Sequence, residues 1–113
     1  MQALQLMNDT QHVEAARALA QRMMIEGGTE PSARITFAFR TVLARKPEPE
    51  EMAVLQKQLA SHILRYQQDA EAAKKLIAIG ESKAKPELDP ALLAAHTLVA
   101  STVLNLDETV SRN

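Results

Sequence analysis

The sequence predicts an all-α fold: one domain over residues 1–113, a bundle of five or six helices around a buried C-terminal helix at about 90–110. Three observations predict it. All three glycines and all five prolines fall in three clusters, which leaves long uninterrupted stretches between them. Within those stretches apolar residues recur three and four positions apart, the period of a helix with one buried face. Finally, from Ala91 to Leu106 sixteen successive residues carry no formal charge unless His96 is protonated, so this helix must be covered on most sides.

The opening segment, Ala3, Leu4 and Met7, reads as helical but nothing before it caps a helix. The chain therefore looks like the C-terminal fragment of a larger protein. Asn8-Asp9 closes this segment, and Asp9 can cap the next helix, whose inward stripe is Val13, Ala16, Leu19, Ala20, Met23 and Met24. Gly27 provides the exit. A helix from Pro31 to about Arg45 follows, burying Ile35, Ala38, Phe39, Val42 and Leu43. The run Arg45-Lys46-Pro47-Glu48-Pro49-Glu50-Glu51 is a stop and a start in succession, because carboxylates suit a helix N-terminus. The next helix runs to about Gln68 with Met52, Leu55, Leu59, Ile63 and Tyr66 on one face. Asp69 caps a short helix holding Ala72, Ala73, Leu76 and Ile77, ended by Gly80. Glu81 to Leu88 is the longest polar connection and is expected to cross the surface. Asp89-Pro90 then starts the central helix, with Leu92, Ala95, Val99, Val103, Leu106 and Val110 on one face and Leu93, Ala100 and Leu104 on a second.

Composition narrows the function classes. A formal net charge of −1 gives no field to attract nucleic acid, and no apolar run reaches the roughly 20 residues of a membrane span. Neither a nucleic-acid partner nor membrane insertion is expected. Without cysteine the chain has no thiol nucleophile, thiolate metal site or disulfide. His12, His62 and His96 fall on three different helices without metal-ligand spacing, so no metal and no cofactor is expected. No nucleophile motif surrounds Ser101, Thr102 or Ser111, and no catalytic residue is assigned.

Two structural sites are expected. Asp107 and Glu108 sit near a helix C-terminus, where negative charge is unfavourable unless paired. Arg34 or Arg40 is the expected guanidinium partner of Asp107. His96, on the buried helix, needs a hydroxyl or carbonyl partner and is the candidate pocket residue. Leu4 and Met7 are the candidate interface, either with the rest of a parent protein or with a second copy as a homodimer.

Three segments carry a resemblance: Gln2-Ala3-Leu4-Gln5-Leu6-Met7-Asn8-Asp9 leading into Val13 to Ala20, Ala38-Phe39-Arg40 to Arg45-Lys46-Pro47, and Val103 to Thr109. In this order they resemble the C-terminal part of a planctomycete-specific domain of unknown function. Such domains end large exported proteins that often carry a cytochrome-c-like module. The resemblance implies a periplasmic or secreted setting and a multidomain parent. The haem-binding C-x-x-C-H of such parents has no counterpart here, because the chain lacks cysteine. The expected function is a non-catalytic structural or protein-interaction module. Two alternatives are a piece completing the active site of a redox or hydrolase-like parent, through Arg40, His96 or Asp107, and a free-standing cytoplasmic helical adaptor.

Overall fold

A computed structural model describes residues 10–80 and 83–111. Among these residues five helices follow one another: α1 (Thr10–Glu26), α2 (Pro31–Leu43), α3 (Pro49–Gln68), α4 (Ala70–Ile77) and α5 (Pro90–Ser111). No strand occurs among the described residues. The opening helix expected up to about Met7 lies outside them.

The apolar run of α5 fixes the architecture, for α5 packs against all four other helices. Leu93, Ala94, Ala95, Val99, Ala100 and Val103 are fully buried, so its core-facing surface spans both expected faces. Against it lie Ala16, Leu19, Ala20 and Met23 of α1, Ile35, Ala38 and Phe39 of α2, Leu55, Leu59 and Tyr66 of α3, and Ala73 of α4, in one continuous core. Of the predicted α5 stripe, Leu92 and Leu106 are only partly buried.

The helix ends follow local chemistry. Asp89 accepts the Leu92 amide through Oδ2 at 3.0 Å, and Asp69 accepts the Ala72 amide through Oδ1 at 3.1 Å. At the start of α3, Glu48 and Glu51 form a reciprocal capping box. Arg45 donates to both carboxylate oxygens of Glu51, at 2.9 and 3.0 Å. The Arg45 guanidinium and the Glu48 backbone N–H together hold the pKa of the Glu51 carboxyl down to about 2. Arg45 itself lies beyond α2, which ends two residues earlier than its sequence suggests. The reason is Ala44, which adopts a left-handed conformation at φ 59° and closes the helix where glycine is the usual residue.

That conformation costs an L-residue about 1–2 kcal/mol. Ala44→Gly is therefore expected to stabilise the chain by about 0.5–1 kcal/mol, since glycine removes the steric cost but adds unfolded-state entropy. Urea unfolding checks this, and a destabilised variant would contradict it.

Of the long connection, the described residues 83–88 run over the surface. The Lys85 amide donates to Gln21 Oε1 of α1 at 3.0 Å, which places the loop over α1 on its way to the start of α5. Before it, Gly80 sits at φ 100° against the Glu14 side chain, where a Cβ would collide.

Candidate functional site

The buried polar residues are the natural place to look for chemistry, because each must be satisfied inside an apolar bundle. Three polar or charged residues are buried among those described: Arg17, His96 and Thr97. Thr97 donates its hydroxyl to the Leu93 carbonyl one turn back, at 2.7 Å. His96 has its Nδ1 2.7 Å from the Leu92 carbonyl. A carbonyl can only accept, so Nδ1 carries the proton and Nε2 of the neutral ring is left as an acceptor. Arg34 meets it there, with Nη1 3.4 Å from Nε2.

Arg34 is the hub of this cluster. Its Nε donates to the Gly28 carbonyl at 2.9 Å and its Nη2 to the Met24 carbonyl at 3.4 Å. One guanidinium thus ties the exit of α1 to the middle of α5. A Cβ on Gly27 would stand 2.5 Å from the Met23 carbonyl oxygen and 3.1 Å from the Arg34 Cα, which accounts for the glycine.

This placement corrects the expected ion pair. Arg34 lies alongside His96, and His96 precedes Asp107 by eleven residues, about 16 Å of helix. Asp107 is exposed, and the ion pairs of the described residues include neither Arg34–Asp107 nor Arg40–Asp107. Water around Asp107 supplies the solvation that a guanidinium was expected to supply. The exposed Arg40 lines a cleft of about 380 Å³ with Glu26, Gly27, Ser32, Ala33, Thr36 and Phe37. His96, at 1% exposure, opens to no such cleft, so Arg40, His96 and Asp107 do not converge. Leu4 and Met7 lie outside the described residues.

The three histidines remain apart. His12 Nε2 is 2.9 Å from Ser101 Oγ, His62 sits half-buried on α3, and His96 is in the core. No group of three His, Asp or Glu side chains able to hold a metal occurs among the described residues, nor is any helix there long and apolar enough to cross a membrane.

The site that sequence reasoning missed is Arg17. It is 3% exposed and donates through Nη1 to the Ile77 and Ile79 carbonyls, at 2.9 and 3.3 Å. These carbonyls close α4, so a buried guanidinium sits at the negative end of that helix. A signal exists in the sequence: Arg17 lies four residues after Val13 and three before Ala20, inside the inward stripe of its own helix.

His96 makes the fold sensitive to acid. Burial holds its imidazole below the ordinary value; the Leu92 hydrogen bond partly offsets this and the neighbouring Arg34 charge adds to it. The folded chain then binds fewer protons at this ring than the unfolded chain. Its contribution to stability is intact above the unfolded value of 6.5 and is lost as pH falls below it. His62, also held low by partial burial and by Arg65, acts in the same direction. The urea midpoint is expected to fall between about pH 7.5 and about pH 5.5, and His96→Gln is expected to flatten that fall more than His62→Gln. An unchanged slope in the His96 variant would assign the effect elsewhere.

Comparison with known proteins names no reaction for the chain. A family model described as protein of unknown function (DUF1553), PSD1, matches residues 1–59 of the 113. This stretch holds the first two of the three segments noted above, including Ala38-Phe39-Arg40 and Arg45-Lys46-Pro47; Val103 to Thr109 lies beyond it. No match to the chain was found among curated proteins or among solved structures. With just over half of its length matched, the chain belongs to the PSD1 family of proteins of unknown function.

Proposed function

We propose that this chain is a non-catalytic structural and protein-contact module of a larger exported multidomain protein, and that its main partner is the remainder of that parent. The observation that carries this reading is four large apolar side chains left in solvent: Ile25 at 54% exposure, Val54 at 53%, Leu64 at 59% and Ile79 at 37%. Single exposed apolar residues are ordinary. Here they accompany a core in which the buried residues Arg17, His96 and Thr97 each bond to a backbone carbonyl, which favours surface contact as what the fold offers. The exported setting, and association with a cytochrome-c-like module, come from the resemblance of the three sequence segments. A homodimer through the segment carrying Leu4 and Met7 is the second mode of contact in this reading. The near-neutral charge favours neither nucleic acid nor an anionic membrane surface.

Side-chain footprinting tests the reading, comparing this chain alone with the same chain joined to the segment encoded immediately upstream. Protection of Ile25, Leu64 or Ile79 in the longer protein is the expected result. Equal labelling of all three in both forms, or the absence of any encoded upstream segment, would overturn it.

A further inference from the structure

The solvent face of α3 is as regular as its core face. Leu55, Leu59 and Tyr66 are buried, while Glu50, Val54, Lys57, Ser61, Leu64 and Gln68 are all exposed. At about 100° per residue these six lie within about 40° of the direction opposite Leu59. They alternate four and three residues apart, the repeat by which two helices share a seam. The same face is symmetric about its own middle. Val54 and Leu64 lie equally far on either side of Leu59, and so do Lys57 and Ser61, and Glu50 and Gln68. A two-fold interface requires this of a surface, because each contact must occur twice with the residues exchanged.

We propose that a second copy of this chain packs on that face, the two α3 helices antiparallel, with Val54 of each against the partner's Leu64. The inference rests on the contact-module reading and names the partner of one face of the module. Charge selects the direction. Glu50 and Glu51 stand in the first turn of α3 and Arg65 in its last. Arg45 occupies Glu51, but the ion pairs of the described residues include neither Glu50 nor Arg65. Antiparallel pairing brings the partner's Arg65 within about one turn of Glu50 along the axis, at both ends of the interface. Parallel pairing would set Glu50 against the partner's Glu50. The acidic rim also borders a cleft of about 290 Å³ between the start of α3 and the end of α5, lined by Val54, Leu55, Thr102 and Leu106. The Thr102 hydroxyl donates to the Leu98 carbonyl at 3.2 Å, so the floor offers apolar surface on which the stem of the partner's Arg65 can lie. In the middle, Lys57 beside the partner's Ser61 keeps its ammonium in water. With two apolar residues per copy the seam falls short of the about 1,200 Å² of stable complexes, and dissociation at about 10 µM to 1 mM is expected.

Light scattering of the full chain over that concentration range tests the association, and the mass is expected to rise from one chain toward two. The double variant Val54→Ser with Leu64→Ser changes two exposed positions, so it is expected to keep the urea midpoint and to weaken association at least about ten-fold. Engineered thiols read the register, since the chain has no cysteine of its own. Under mild oxidation, the Val54→Cys chain mixed with the Leu64→Cys chain is expected to form the interchain disulfide at least about ten-fold faster than either variant alone. In the antiparallel pair the two copies of one position stand about 15 Å apart along the axis, too far to bridge. A monomer up to about 1 mM, association unchanged in the double Ser variant, or disulfides forming as fast within one variant as between the two would each overturn the proposal. Failure here leaves the footprinting of Ile25 and Ile79 untouched, so loss of this dimer and loss of the contact-module reading are distinguishable.

Discussion

Phe39→Ala is expected to destabilise the chain by about 3–5 kcal/mol, the range for removing a fully buried aromatic ring. Phe39 has no exposed surface, while Phe37 is half-buried and Tyr66 retains its edge at 9% exposure. Apart from Tyr66 the remaining core is built of Leu, Ile, Val, Met and Ala, which are too small to fill the space the ring leaves. The ring also lies under the Arg45 guanidinium, 5.2 Å from its centroid. That contact links the core to the Arg45–Glu51 pair that organises the start of α3. Domains of this size are stable by about 5–15 kcal/mol, so the loss is a large share of the total. Urea unfolding of Phe39→Ala beside Phe37→Ala checks the argument. Phe37 has its own cation contact, with Arg22 at 5.2 Å, but is solvated on one side, and its loss is expected to be well under half as large. Equal losses at the two positions would show that the burial of Phe39 is not what matters.

The second large effect is expected at Arg17. Arg17→Met keeps an unbranched aliphatic stem but removes the donors to the Ile77 and Ile79 carbonyls. Hydrogen bonds to charged groups contribute about 1.5–3 kcal/mol each, partly offset here because the variant no longer buries a charge. A net loss of about 2–3 kcal/mol is expected. Its location is the sharper prediction. With eight residues, α4 is far too short to persist alone, and Arg17 is the tie that holds its C-terminal end onto α1. Hydrogen exchange in the variant should therefore accelerate first at residues 70–79, ahead of α1 and α5. Arg17→Lys should recover only part of the loss, because an ammonium does not present the planar fork of a guanidinium. Uniform acceleration across all helices would mean that Arg17 supports the whole core rather than α4.

Acid is expected to act in two separate windows. The His96 contribution is lost as pH falls below about 6.5, with a depressed histidine value as the cause. Glu51 acts later. Its carboxyl, held at about 2 in the folded chain, has its stabilising effect in place above the ordinary 4.5, and loses it as pH falls from there toward 2. The pair is exposed enough that solvent screens much of it, so the histidine window should dominate the onset.

Much of the bundle is legible in the sequence because its signals are local. Clustered Gly and Pro mark breaks, Asp69 and Asp89 cap the helices that follow them, and the period of apolar residues names the buried faces of α1, α2 and α3. Even the burial of α5 on most sides follows from an uncharged run. Ala44 illustrates where local signals stop. Nothing in an alanine announces a left-handed residue, so the sequence pattern carries the helix on to Arg45 although the backbone turns out of it at Ala44.

The candidate site is less legible because it depends on what faces what. Asp107 near a helix end signals a charge that needs solvation, but charge alone does not say whether water or an arginine provides it. The sequence offers Arg34 as a possible partner for Asp107, while its actual neighbour, the His96 ring, sits on a helix 62 positions away. Hydrophobic periodicity and capping are properties of neighbouring residues, and they suffice to specify an all-α chain, its breaks, and a central helix that must be buried. Helix packing alone brings Arg34 to His96, sets Arg17 at the end of α4, and leaves an apolar cleft between α3 and α5 beside the start of α1. Those pairings join residues separated by long stretches of chain, and no run of adjacent residues encodes them.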